Sequence, residues 1–212
     1  MPIEILPIQN INNIPAGILI GSGNTCNTSF PAFAVGVDCY AGGPYSYAEG
    51  SATSAIGAFS HAEGAVTSSD GSYSHAEGYK TSAYSTPSHA EGYETIASGP
   101  ISHAEGQYTR ANGAVSHAQG YNTVANANFM TVIGKYNFTT SAAFVIGNGT
   151  GTGTSADDAF VVDWDGTVSA TKFLNSAGEI PAIVPTGSQP AGTTACSLYI
   201  SSDGTIYAVT GT

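Results

Sequence analysis

Charged residues make up only 9% of this chain, against roughly 25% in an ordinary soluble domain. The basic ones are rarest: four Lys plus Arg stand against 15 Asp plus Glu, for a net charge of −11. A phosphate-binding surface needs clustered positive charge. Nucleic acid is therefore excluded as a partner, and an anionic membrane surface with it. Leucine occurs four times in 212 residues. A globular enzyme fills its core with bulky aliphatic side chains, so this composition points to a thin interior instead. The cysteines, Cys26, Cys39 and Cys196, are odd in number and form no C-x-x-C pair, which argues against a disulfide framework and a cysteine zinc site. No apolar run approaches the roughly 20 residues of a membrane-spanning helix. The opening MPIEILPIQNINNIP lacks a basic segment leading into an apolar one, so neither a secretory signal nor membrane insertion is expected.

What is plentiful is Gly, Ala, Ser, Thr and Tyr, and these recur in order. The pentapeptide S-[HY]-A-E-G begins at Ser46, Ser60, Ser74, Ser88 and Ser102, and S-H-A-Q-G begins at Ser116, always 14 residues apart. Degenerate copies begin at Ala32 and Met130 in the same register. The period also halves. Glycine falls every seven residues from Gly36 to Gly134, with Ser85 and Ala127 in its place twice; Ala or Ser precedes each by two positions, except that Val132 precedes Gly134. Internal repetition of this kind decides the fold before any local propensity does.

A seven-residue period invites a coiled coil, but no apolar a/d seam exists, and a glycine in every heptad costs a helix about 1 kcal/mol each. Two short strands per 14 residues, each ended at a glycine-permitted turn, give stacked coils and a parallel β-solenoid. Seven periods at about 4.8 Å per coil make a stack roughly 34 Å long. Alternation along a strand groups Ser, Ala and Gly of S-H-A-E-G on one face, which their small size assigns to the interior. The other face carries His and Glu, together with an apolar column just before each Ser: Tyr45, Phe59, Tyr73, Pro87, Ile101 and Val115.

An interior of Ala, Ser and Gly buries too little to stand alone. The apolar column is therefore expected to pack on copies of itself around a symmetry axis. In that arrangement His61, His75, His89, His103 and His117 are expected to hydrogen-bond Glu63, Glu77, Glu91, Glu105 or Gln119 across subunits. Phe59, Tyr73, Ile101 and Val115 are expected to complete the interface. H-x-E is a fragment of the zinc deaminase signature, but P-C-x-x-C is missing. The repeated His and Glu read as interface hydrogen bonds rather than as a metal ladder. Gly151 to Ala156 matches G-x-G-x-x-A with no helix pattern after it. Asp157, Asp158, Asp163 and Asp165 read as turn residues rather than calcium ligands, since Asp165-Gly166 and Asp203-Gly204 are hairpin signals. Asn27, Asn137 and Asn148 stand in glycosylation sequons. No nucleophile is paired with a base, and no catalytic, cofactor or metal site is expected.

Along the chain, residues 1–31 read as an attachment segment, within which Ile18-Leu-Ile-Gly resembles a first coil. Residues 32–134 are the repeat. Residues 135–174 are a β-rich transition, with A-F-V-I-G-N-G at 143–149 resembling a coil end and a hairpin at 159–170. Residues 175–212 are a linker and a final hairpin at 197–209.

The S-x-A-x-G repeats over residues 32–134 resemble the YadA-like head repeat of trimeric autotransporter adhesins. The resemblance implies a left-handed parallel β-roll assembled as a homotrimer, binding through repeated surfaces without catalysis. Adhesins of that family carry a signal peptide, a coiled-coil stalk and a membrane barrel, none of which is read here. The S-H-A-E-G variant, followed by V-I-G-K-Y-N and A-F-V-V-D-W-D-G-T-V-S-A, looks more like bacteriophage tail and fibre proteins. It implies a tail or head fibre of a virion, made in the host cytoplasm. One end would join a capsid or tail protein, and the other would meet a host-surface glycan or protein. A bacterial adhesin head fragment is the alternative.

Overall fold

The structure is a computed structural model. It describes residues 17–27 and 29–170 and, beyond them, the strands Leu174–Asn175, Gly178–Glu179, Ser197–Ile200 and Ile206–Val209. The chain divides into two compact units, Met1–Thr171 and Lys172–Thr212.

The first unit is an all-β parallel solenoid without an α-helix among the described residues. Each coil contributes one long and one short strand, as His61–Ala65 and Ser68–Ser69 do. The long strands form a twelve-stranded sheet in chain order and the short ones a second sheet of eight. Neighbouring long strands are parallel and offset by one repeat, so that His61 lies beside His75, Ala62 beside Ala76 and Glu63 beside Glu77. Backbone bonds follow the same step: His61 N–H donates to Ser74 O at 3.0 Å and Ser68 N–H to Thr81 O at 2.9 Å.

The interior is as thin as the composition requires. Ala48, Ala62, Ala76, Ala90, Ala104 and Ala118 of the long strands are fully buried, and so is Ala83 of a short strand. Ser46, Ser60 and Ser74 are buried beside them, as are Thr53, Thr67 and Thr81. Serine hydroxyls are accommodated locally: Ser46 donates to Gly43 O at 2.7 Å and Ser116 to Gly113 O at 2.6 Å. Ser69, which interrupts the alanine column, meets the Ser74 hydroxyl at 2.7 Å.

The glycine of S-H-A-E-G is not part of this interior, contrary to the alternation argument. Gly50 and Gly64 are exposed. Gly64 has φ +107°, and a Cβ there would stand 2.1 Å from the carbonyl oxygen of Gly78 in the next coil. Glycine is needed for backbone conformation and for the approach of one coil to the next, not for interior space.

The stack extends a coil beyond residues 32–134 at each end. Gly17–Ser22 pairs in parallel with Ala32–Val37, and Thr131–Lys135 with Phe144–Asn148. Ile18-Leu-Ile-Gly thus forms a first coil, and residues 143–149 contain a last long strand. The end coils are filled differently. Cys26 takes the place of a short-strand alanine, and Gly17 makes room for it, since a Cβ on Gly17 would lie 2.0 Å from the Cys26 sulfur. At the other end the buried residues become Met130, Val132 and Val145, which fill a coil with no short strand of its own. Cys26 and Cys39 are free thiols; Cys196 lies outside the described residues.

A hairpin closes the long-strand sheet. Asp158–Val162 pairs antiparallel with Phe144–Asn148 and then with Val168–Ala170. Asp163 N–H donates to Thr167 O at 2.9 Å, and Gly166 takes φ +86° in the turn between them. The Asp165 carboxylate accepts the Thr167 N–H at 2.8 Å, which holds it below the usual carboxylate range. The Asp158 carboxylate accepts the N–H groups of Phe138 and Thr139 at 2.9 and 2.7 Å. In the stretch that matches G-x-G-x-x-A, Gly153–Ser155 forms a single 3-10 turn and the strand Asp158–Val162 follows it. In the second unit Leu174–Asn175 pairs with Gly178–Glu179 and Ser197–Ile200 with Ile206–Val209, both antiparallel. Residues 201–205, with the expected Asp203-Gly204 turn, and most of the expected linker lie outside the described residues.

Candidate functional site

Parallel stacking in exact one-repeat steps turns each repeated side chain into a column. The first column is made of imidazoles. His61, His75, His89 and His103 stack with ring centroids 4.7–4.9 Å apart and planes within 4° of parallel. His117 continues it at 5.0 Å, tilted by 27°, and Tyr47 begins it at 4.9 Å from His61.

Glutamates run alongside, and their pairing is offset by one coil. The Nε2 atom of each histidine faces the glutamate twelve residues before it. His61 lies 3.5 Å from Glu49, His75 3.6 Å from Glu63 and His89 3.7 Å from Glu77. His103 lies 3.2 Å from Glu91 and His117 3.3 Å from Glu105, close enough for hydrogen bonds. The sequence reading pairs these residues between subunits; within one chain they already meet. The offset also explains the two departures at the ladder's ends. Gln119 is uncharged where the next coil has Thr131 instead of histidine. Tyr47 stands where the preceding coil has Val35 instead of glutamate. Tyr47 donates its hydroxyl to Glu49 of its own strand at 2.5 Å, which raises the phenol above its ordinary range. Glu49, Glu63, Glu77 and Glu91 line a shallow groove with Gly64, Gly78 and Gly92 at its base.

A second column is apolar and exposed. Tyr45, Phe59 and Tyr73 stack at 5.0 and 5.2 Å, and Ile101, Val115 and Phe129 occupy the same place in later coils. Their exposures run from 44% at Val115 to 64% at Phe129. These residues are not in the strand. Each has a left-handed φ between 56° and 61° and sits in the turn before it. Strand alternation therefore does not group them with His and Glu. Pro87, whose ring fixes φ near −65°, is the member of the column outside this conformation.

A third column escaped the sequence reading. Tyr79, Tyr93, Tyr108, Tyr121 and Tyr136 follow one another at 5.1–5.9 Å, mostly edge to face. The signal was there in tyrosines one or two places after the strand glycine, but they fall in two repeat positions and so do not share one register. Lys80 lies beside this column, 3.2 Å from Glu94. Asn137 was also read only as a sequon. Its side chain instead replaces a strand: Oδ1 accepts the Val124 N–H at 2.7 Å and Nδ2 donates to Val124 O at 3.0 Å. It caps the edge of the short-strand sheet.

Comparison of the chain with family models, with curated proteins and with solved structures finds no match in any of the three.

Proposed function

We propose that this chain is a non-catalytic structural fibre protein of a bacteriophage virion. In this reading it is a homotrimer of left-handed β-rolls that presents a repeated surface to a host. One end joins a capsid or tail protein, and the other meets a host-surface glycan or protein. The phage assignment rests on the resemblance carried by the S-H-A-E-G variant and the A-F-V-V-D-W-D-G-T-V-S-A block.

The observation that carries the assembly is the exposed apolar column. A β-branched or aromatic residue at a left-handed φ costs roughly 1–2 kcal/mol relative to residues that take it freely. Glycine or asparagine would be cheaper at each turn. The chain instead places Phe59, Tyr73, Ile101, Val115 and Phe129 there, all about half exposed or more. Contiguous apolar surface of this kind marks an interaction site. Because it repeats once per coil, closed symmetry lets it be covered by copies of itself along its whole length. The chemistry of the other columns also fits a fibre. Among the described residues the strand glutamates recur identically from coil to coil, and the Asp158 and Asp165 carboxylates accept backbone N–H groups.

Substituting Phe59→Asn and Tyr73→Asn together tests the assembly. Sedimentation velocity should show the wild-type chain as a trimer and the double variant largely as monomer with an unchanged β-type circular dichroism spectrum. A double variant that sediments like the wild type would remove the column from the interface.

A further inference from the structure

The histidine nitrogens are unevenly satisfied, and the unevenness has a pattern. The Nε2 atoms of His61, His75 and His89 are shielded from solvent and have no hydrogen-bond partner. A shielded polar atom without a partner is costly and calls for an explanation. Each faces a carboxylate oxygen 3.5–3.7 Å away, beyond the usual 2.7–3.2 Å of a hydrogen bond. Two ligands held 2.0–2.1 Å from one tetrahedral ion stand about 3.4 Å apart, which is close to that gap.

We propose that the ladder binds zinc-class divalent cations in three sets of side chains. The sets are Glu49, His61 and Glu63; Glu63, His75 and Glu77; and His89, Glu91 and His103. Within each, one ligand atom per residue lies within 4.8 Å of the others. His61 and His75 each share a set with the glutamate they face at 3.5 and 3.6 Å, whereas His89, which faces Glu77, is joined in its set by Glu91 and His103. His103, whose ring is hydrogen-bonded to Glu91, belongs to the third set, whereas His117, hydrogen-bonded to Glu105, belongs to none. This departs from the sequence reading, in which His and Glu served hydrogen bonding alone.

Charge supports the assignment. The groove beside the histidines is lined by four glutamates and no basic residue. Carboxylates repeated at about 4.8 Å repel one another, and a cation offsets that repulsion. Mixed imidazole and carboxylate donors suit zinc, cobalt or nickel rather than calcium or magnesium, which prefer oxygen alone. Because Glu63 belongs to two sets, ions in both would stand about one coil apart and repel each other, so the two sets hold one ion between them. Saturation at two ions per chain is expected, one in the first two sets and one in the third. The side chains are about one-third exposed, so a small rotation of them would open the shielded nitrogens to an ion. The inference concerns residues of one chain and does not depend on the fibre reading.

The test is zinc titration of the full chain after removal of metal with a chelator. Calorimetry reads binding, and elemental analysis counts the ions retained. At neutral pH the wild-type chain should retain two zinc ions and show no heat with calcium. The combined variant His61→Gln, His75→Gln and His89→Gln should bind zinc at least tenfold more weakly, whereas His117→Gln should bind like the wild type. A wild-type chain that retains no zinc overturns the proposal, whether or not the triple variant folds. So does a folded triple variant that binds like the wild type, or a His117→Gln chain that loses as much as the triple. A monomeric chain that retains zinc would overturn the fibre reading and leave this one standing.

Discussion

Val115 holds a φ of 56°, a conformation that a β-branched side chain resists and asparagine accepts readily. If backbone strain were its only consequence, Val115→Asn would stabilise an isolated chain by about 1 kcal/mol. In the proposed trimer the same change would remove an apolar contact from every subunit. The substitution should therefore weaken trimer association while leaving or raising the melting temperature of dissociated chains, as thermal melts over a dilution series would show. Gly78 poses the opposite problem. Its φ is +111° and a Cβ would meet the Gly92 carbonyl oxygen at 2.2 Å. Gly78→Ala should destabilise the solenoid on the order of 1–3 kcal/mol, whereas the half-buried Ala65 one coil earlier has ordinary strand backbone and should tolerate Ser. Chemical denaturation of the two variants compares them.

At the scale of the coil, the buried threonine column is a reserve of stability. The Oγ1 atoms of Thr53, Thr67, Thr81, Thr95 and Thr109 are shielded from solvent without a hydrogen-bond partner. An unpaired buried hydroxyl costs about 1–3 kcal/mol. Thr95→Val keeps the shape and removes that cost, so it should raise the denaturation midpoint by an amount worth about 1 kcal/mol. Ala90→Leu, in the same coil, should do the reverse, because the interior has no room for three more carbons. The coil was readable in advance because its interior residues recur at a fixed period and alternate with exposed ones. Ser46, Ala48 and Thr53 are buried as that pattern requires. Gly50 was misplaced because small size reads as interior, whereas its positive φ is a backbone property that no side-chain pattern displays. The His–Glu offset was hidden for a related reason. A strict repeat makes Glu49 and Glu63 equivalent partners for His61, and only Tyr47 and Gln119, at the ends, break that equivalence. The Asn137 cap has no periodic signal, since it occurs once, where the repeat stops.

At the scale of the whole molecule, a narrow interior stands beside exposed columns among the described residues. Eight coils each supply a long and a short strand, and most bury nothing larger than threonine between them. So little apolar burial per coil leaves the side faces to provide the rest. The histidine, glutamate and tyrosine columns then follow from stacking alone, and any change that alters one coil's register by a residue interrupts all of them at once. Deleting one residue from the turn at Ala58 should split the imidazole stack between Tyr47 and His61 and lower stability by more than any single substitution named above, measurable by thermal melt. The central claim is that this chain works as a trimer. It is tested most directly by multi-angle light scattering of the purified full-length chain over a range of concentrations. The account predicts the mass of three chains, unchanged on dilution; a mass of one chain at every concentration would contradict it.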